Sequence, residues 1–220
     1  MTIRVLVADD QPLMRVAFEW TLRAEDDLEF VGEATNGREA IEQARALRPD
    51  VVLMDIRMPE LDGVEATRIL TAEDEDIKIL VLTTFDVDEY ALEALRAGAS
   101  GFLLKDVRPE DLVRAIRVIA DGDTLLAPAV TRRLLDTFAD ATPPQPEPAR
   151  RLASLTGTEV KVLTLLGGGL SNQEIAEQLS VADTTVRTHL RHIMEKLALR
   201  DRVQAVVFAY DTGLVEPTPR

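Results

Sequence analysis

The chain has 220 residues, 46% of them hydrophobic, which is enough for one large or two small domains with apolar cores. It has no cysteine, which excludes disulfides and thiolate metal sites, and no apolar run near the ~20 residues of a membrane helix. The net charge of −14 argues against nucleic-acid binding by the chain as a whole.

Residues 1–121 alternate short apolar runs with amphipathic segments of helical period. The predicted strands are Ile3–Ala8, Leu28–Ala34, Val51–Asp55, Ile77–Thr83 and Gly101–Leu104. The predicted helices span 12–24, 37–47, 64–72, 87–97 and 109–120, the last with Pro109 at its first position. This alternation predicts an α/β fold with a parallel sheet covered on both faces.

Acidic residues close two of these strands. Asp9 and Asp10 follow the first strand, and Asp55 ends the third. Because the C-terminal ends of parallel strands meet at one edge of a sheet, the three carboxylates should converge in one crevice. Such a cluster is unfavourable unless a cation neutralises it, and oxygen ligands suit Mg²⁺. With a cation bound, one carboxylate could attack a phosphoryl group and carry it.

Residues 122–150 differ in composition from the rest. Ala141–Ala149 has four prolines in nine residues and predicts an extended linker, with a short helix at Pro128–Phe138 before it. From Arg150 onward there are 9 Lys and Arg against 8 Asp and Glu, a balance of +1, whereas the earlier part has 16 against 31. An acidic N-terminal part and a near-neutral C-terminal part indicate two modules with different partners.

From Leu155 the pattern is helical throughout. Ser171 and Glu174 have the spacing of a capping box that opens a helix over Asn172–Leu179. A short turn separates this helix from a longer one, Thr184–Leu197, and the pair predicts a helix-turn-helix. The longer helix should bury an apolar face and expose a polar one. Its apolar residues are Val186, Leu190, Ile193 and Leu197, and its polar face has Thr185, Arg187, Thr188 and Arg191.

Three features of this region allow more than one interpretation. Asp183 should cap the longer helix, because Ala182 has no side-chain acceptor. Gly167–Gly169 resembles a phosphate loop, but no Gly-Lys-Ser/Thr follows, so a helix stop and a turn are favoured. His189 and His192 could begin a metal site, yet no third ligand is evident, so phosphate contact or helix packing is favoured.

In these motifs the chain resembles the NarL/FixJ class of response regulators, which join a receiver domain to a LuxR-type DNA-binding domain. The receiver-like residues are Asp9-Asp10, Asp55, Met58-Pro59, Asp62-Gly63, Thr83 and Ala97–Lys105, and the LuxR-like segments are Gly169–Ala176 and Thr185–His189. The resemblance covers nearly the whole chain. It implies a receiver over 1–121 with a five-stranded, flavodoxin-like sheet, a linker over 122–150, and an all-α helix-turn-helix domain over 151–216.

The resemblance also implies functional roles in the receiver. Asp55 would accept a phosphoryl group from a sensor histidine kinase. Mg²⁺ would be bound by Asp10, Asp55 and the backbone carbonyl of Arg57, with Asp9 acting through a water. Thr83 and Lys105 would contact the phosphoryl group. The residues expected to move on phosphorylation are Thr83 and Phe102. The receiver would support its own Mg²⁺-dependent phosphotransfer and slow dephosphorylation without being an enzyme in the ordinary sense.

For the second domain the resemblance implies sequence-specific binding to double-stranded DNA by a homodimer formed on phosphorylation. The expected DNA contacts are Thr185, Arg187, Thr188, His189 and Arg191. The expected dimer contacts are Val203, Val206, Val207 and Tyr210 on a final helix, Asp201–Tyr210, although some of this stripe must pack within its own domain. No signal peptide or membrane segment is evident, so a cytoplasmic protein is expected.

Two other functions fit parts of the sequence. An aspartyl-phosphate hydrolase would use the same nucleophile, but such enzymes usually need an acidic residue two positions later, where this chain has Arg57. A DNA-binding regulator whose first domain senses a ligand or protein without phosphorylation would bind DNA equally well with and without a phosphate mimic.

Overall fold

The structure, a computed structural model, describes residues 2–74, 76–83, 89–121 and 151–215. The chain divides into two compact units, Met1–Leu125 and Leu126–Arg220, and the division falls within the expected linker. The linker 122–150 and its expected helix lie outside the described residues. Among the helices that are described, none has the length and apolar character to cross a membrane.

The first unit is a five-stranded parallel sheet with strand order β2-β1-β3-β4-β5. The strands are β1 (Ile3–Ala8), β2 (Leu28–Ala34), β3 (Val51–Asp55), β4 (Lys78–Thr83) and β5 (Gly101–Leu104). The helices among its described residues are α1 (Pro12–Arg23), α2 (Gly37–Leu47), α3 (Gly63–Glu73), α4 (Glu89–Arg96) and α5 (Pro109–Ala120). The predicted α/β, flavodoxin-like fold is confirmed, with β4 beginning one residue later than expected.

Burial explains why these segments form a sheet. Every residue of β3 is buried, as expected for a central strand covered on both faces. One face of the sheet packs against α1 and α5 in an apolar core. Its members include Val5, Phe18, Leu22, Leu53, Leu80, Leu82, Leu112, Ile116 and Ile119. The strand order reverses between β1 and β3, and in open α/β sheets the crevice beyond that point is where ligands bind.

The second unit is helical. Its described part, residues 151–215, has α6 (Gly157–Gly167), α7 (Asn172–Leu179), α8 (Asp183–Leu197) and α9 (Arg202–Asp211). The four helices share a core that includes Val162, Leu166, Ile175, Val186, Leu190, Ile193, Leu197 and Phe208. The capping box of Ser171 and Glu174 is present, and Gly169 has a φ of 85° in the turn after α6, as a helix stop requires.

The predicted cap of α8 is wrong. The N-cap is Ala182, whose backbone is extended and whose side chain makes no capping bond, and Asp183 is already the first helical residue. Its carboxylate therefore lies along the helix, where Oδ2 accepts a hydrogen bond from Arg187 Nε at 2.8 Å. The helix begins one residue earlier than the sequence predicted.

Candidate functional site

The C-terminal ends of β1 and β3 bring three acidic side chains together. One carboxylate oxygen from each of Asp9, Asp10 and Asp55 lies within 4.8 Å of the other two. Asp9 and Asp55 are buried, whereas Asp10 is exposed. The expected convergence of the carboxylates is confirmed, and Asp10 forms its solvent-facing side.

Lys105 lies between the two buried carboxylates of this cluster and offsets their charge. Its Nζ lies 2.7 Å from Asp9 Oδ2 and 2.9 Å from Asp55 Oδ2, and its side chain is only 5% exposed. The Lys105 backbone N–H donates to the carbonyl of Thr83 at 2.7 Å, which joins the end of β5 to the end of β4. Leu82, the residue before Thr83, pairs with Asp55. The five predicted residues therefore share one edge of the sheet.

The protonation of Asp55 reflects opposing influences. Burial raises the pKa of the Asp55 carboxyl above its usual value, and the charge of Asp9 acts in the same direction. The ammonium of Lys105 and the backbone N–H of Arg57 lower that pKa and offset part of the rise. Lys105 thus favours the ionised form of this carboxylate, against the effects of burial and of Asp9.

The carboxylates are positioned by backbone contacts that the sequence did not predict. The N–H of Gln11 donates to Asp9 Oδ1 at 2.9 Å, and the Arg15 guanidinium donates to the Asp9 carbonyl at 2.9 Å. A Cβ on Gly63 would lie 1.9 Å from the Asp55 carbonyl oxygen, so only glycine permits this approach of α3 to the end of β3. The Asp62-Gly63 dipeptide signals a turn in the sequence, but not what that turn contacts.

Helix α8 has the two faces that its sequence predicted. Its four apolar residues, Val186, Leu190, Ile193 and Leu197, are buried. Arg187, Thr188, Arg191 and His192 are exposed, and Thr185 and His189 are half-buried. The polar face is therefore exposed on a helix, and the DNA major groove is wide enough to admit a helix.

Comparison with known proteins assigns both units. Residues 5–117 match the response regulator receiver domain, and residues 153–209 match the luxR family of bacterial regulatory proteins. The chain belongs to the LuxR-type response regulators. A receiver followed by a LuxR-type domain makes this response regulator part of two-component regulation of transcription.

Relatives share this organisation over their full length. The response regulator is 42% identical to the uncharacterized transcriptional regulatory protein YxjL of Bacillus subtilis, over 97% of this chain and 98% of that protein. It is 36% identical to the response regulator protein VraR of Staphylococcus aureus, over 98% and 100% of the two chains. Among solved structures, the response regulator ChrA of a heme-sensing two-component system is 35% identical over 97% and 98% of the chains, with a TM-score of 0.53.

Phe102 and Arg57 are the two remaining receiver residues to which the resemblance gave a role. Phe102 on β5 is already buried, with 3% of its surface exposed, and its movement on phosphorylation stays a prediction. The Arg57 guanidinium lies over the Tyr90 ring, 5.1 Å from the ring centroid, and this cation–π contact connects the loop after β3 to α4. The role of the Arg57 carbonyl as a metal ligand also stays a prediction.

Of the four predicted dimer residues on α9, three are buried and the fourth forms a hydrogen bond within its own unit. Val203, Val206 and Val207 are buried, and Val206 belongs to the core of its own unit. The Tyr210 hydroxyl donates to the carbonyl of Gly167 at 3.2 Å. Val206 and Tyr210 thus contribute to internal packing, as part of this stripe was expected to do, and the dimer contacts stay a prediction.

An ion pair between the buried Glu159 and the partly exposed Lys196, in the response regulator's second unit, was missed from the sequence. The Glu159 carboxylate accepts hydrogen bonds from the backbone N–H and hydroxyl of Thr156, at 2.7 and 2.8 Å, and from Lys196 Nζ at 2.7 Å. Burial opposes ionisation, but the bonds from Lys196 and Thr156 outweigh it and lower the pKa of Glu159 to about 2. The Thr-x-x-Glu spacing could have revealed the capping box, but not Lys196.

Replacing Glu159 with glutamine should lower the free energy of unfolding of this unit by roughly 2 kcal/mol at neutral pH. The folded pKa lies below the ordinary value of 4.5, so the charge stabilises the fold above pH 4.5 and this contribution is lost as the pH falls towards 2. The difference from the parent should therefore shrink over that range. Urea unfolding of the full chain, followed by circular dichroism at several pH values, would measure it.

Glu174→Gln is the matched control for this experiment. Glu174 forms the same kind of capping box with Ser171, with bonds of 2.8 Å from the backbone N–H and the hydroxyl, but it is exposed. The control should lose less stability than Glu159→Gln. Equal losses for the two variants, or a loss at position 159 that does not change with pH, would contradict the role of the Lys196 pair.

Proposed function

We propose that this response regulator accepts a phosphoryl group on Asp55 from a sensor histidine kinase, acts in the cytoplasm, and regulates transcription by binding DNA as a phosphorylation-induced dimer. The observation that carries the proposal is the contact of Lys105 with both Asp9 and Asp55. A buried cation between two carboxylates at a strand end suits the transfer of an anionic group better than a purely structural role.

The chemistry follows from the position of Asp55. A carboxylate oxygen would attack the phosphorus of a phosphohistidine, so that a P–O bond forms as the P–N bond breaks and the imidazole nitrogen keeps the bonding electron pair. The phosphoryl group brings a charge of about −1.5 to −2 into the crevice. Lys105 would transfer one of its contacts to a phosphoryl oxygen, and the Thr83 hydroxyl would donate a hydrogen bond to the same group.

The residues of the crevice fit Mg²⁺. Three carboxylates offer oxygen ligands within 4.8 Å of one another, and Asp10 keeps one side open to solvent. Asp10 and Asp55 would hold the ion with the Arg57 carbonyl, and Asp9 through a water. When bound, the ion would offset the repulsion between the carboxylates and the phosphoryl oxygens.

The weak positive charge of one DNA-binding unit supports dimerisation. The chain from Arg150 onward carries a balance of only +1, so a single copy would attract phosphates weakly. A dimer would place two copies of α8 on half-sites about one helical turn apart. The polar residues Thr185, Arg187, Thr188, His189 and Arg191 would then contact base edges and phosphates.

The test compares the full chain before and after treatment with acetyl phosphate and Mg²⁺. Light scattering should show a shift from monomer towards dimer, and affinity for duplexes selected from a random library should rise at least about tenfold. Equal DNA affinity in both states would favour the regulator that senses a ligand or protein without phosphorylation. Repeated turnover of added phosphoesters would favour the hydrolase.

A further inference from the structure

The first turn of α8 contains an ion pair on the face proposed to meet DNA. Asp183 Oδ2 lies 2.8 Å from Arg187 Nε, and the two side chains are 40% and 61% exposed. Asp183 is the first helical residue and not the N-cap, and its carboxylate accepts a hydrogen bond from Arg187. An acidic group here is costly beside DNA, because it would repel the phosphates that neighbouring cations attract.

A second pair has the same arrangement one turn later. Arg191 Nε lies 3.9 Å from Glu195 Oε1, again at a spacing of four residues and with both side chains about two-thirds exposed. Each of the two arginines on the polar face of α8 therefore has a carboxylate on the same helix. The closer pair, Asp183–Arg187, constrains its guanidinium far more than the looser one.

We infer that Asp183 is a specificity-determining residue for the proposed DNA binding. It holds the Arg187 guanidinium through Nε, on the helix face from which an arginine can reach a guanine edge. A phosphate brought to Arg187 would meet the Asp183 carboxylate and be repelled, whereas a guanine edge carries no net charge. Asp183 thus directs Arg187 away from sequence-independent phosphate contacts and towards bases. The inference rests on the proposed DNA-binding function.

The test is Asp183→Asn in the full chain, which removes the charge and keeps the shape of the side chain. Affinity for a random-sequence duplex should rise roughly 5- to 10-fold, and the slope of log affinity against log salt should steepen by about one for each subunit bound. Affinity for a selected duplex should rise less, so the ratio of specific to non-specific affinity should fall. Fluorescence anisotropy at several salt concentrations would measure each quantity.

Glu19→Gln is the matched control. Glu19 and Arg23 on α1 form a pair of the same length, 2.8 Å, and the same spacing, so the variant changes the net charge equally but outside the DNA-binding unit. It should leave the salt slope unchanged. Asp183→Glu, which keeps the charge at the start of α8, should behave like the parent, and the effect of Asp183→Asn should disappear when Arg187 is also changed to glutamine.

These results separate the two proposals. If the parent binds DNA but Asp183→Asn has the same salt slope and the same specificity ratio, the role of Asp183 is refuted while DNA binding stands. An equal effect of Glu19→Gln, or an effect that persists without Arg187, would also refute it. If no form of the chain binds any duplex, phosphorylated or not, the proposed DNA-binding function itself fails.

Discussion

Replacing Asp55 with asparagine should abolish phosphorylation of the chain. The amide keeps the size of the side chain but removes the nucleophilic carboxylate, which lies at the end of β3 beside Lys105. Radiolabel taken up from a phosphorylated kinase or from a small phosphodonor should fall to background, at least ~100-fold below the parent. Phosphorylation-dependent dimerisation and DNA binding should be lost with it.

Asp106→Asn supplies the control for this experiment. Asp106 follows Lys105 directly but is exposed and lies outside the carboxylate cluster, so its replacement removes the same charge near the same loop. The control should take up label at close to the parent rate. Full labelling of Asp55→Asn, with the label still bound as an acid-stable acyl phosphate, would show that another carboxylate is the acceptor.

Replacing Lys105 with methionine should cause the largest loss of stability among single substitutions at the site. The change leaves two buried carboxylates, Asp9 and Asp55, without the ammonium that lies within 3 Å of both. Breaking a buried ion pair by removing one partner costs about 3–5 kcal/mol. Urea unfolding at neutral pH would measure the loss, and added Mg²⁺ should stabilise this variant more than the parent, because the ion would then supply the missing positive charge.

Lys78→Met is the corresponding control. Lys78 begins β4, so it lies at the opposite end of the strand from Thr83, and removing it changes the net charge by the same amount. It should cost little stability and should not alter the response to Mg²⁺. If the two variants lost equal stability, or if Mg²⁺ stabilised Lys105→Met no more than the parent, then Lys105 would not be the cation on which the buried carboxylates depend.

Local patterns explain why so much of this fold was predictable. The buried run of β3 and the alternating faces of α8 are visible as apolar spacing, because side chains repeat every two residues in a strand and every 3.6 in a helix. The capping box of Ser171 and Glu174 is equally local, since it joins residues three apart. The same rules misplaced Asp183, because capping depends on the backbone angles of one residue, Ala182.

The sequence by itself determined the order of the elements, the convergence of Asp9, Asp10 and Asp55 at one edge of a sheet, and the family. These follow from periodicity, from the topology of parallel sheets and from motifs in a fixed order. Only the tertiary structure decided which oxygens Lys105 contacts, and that Glu159 pairs with Lys196. Such contacts join elements far apart in the chain, and their distances depend on strand register and helix packing, which no local pattern specifies.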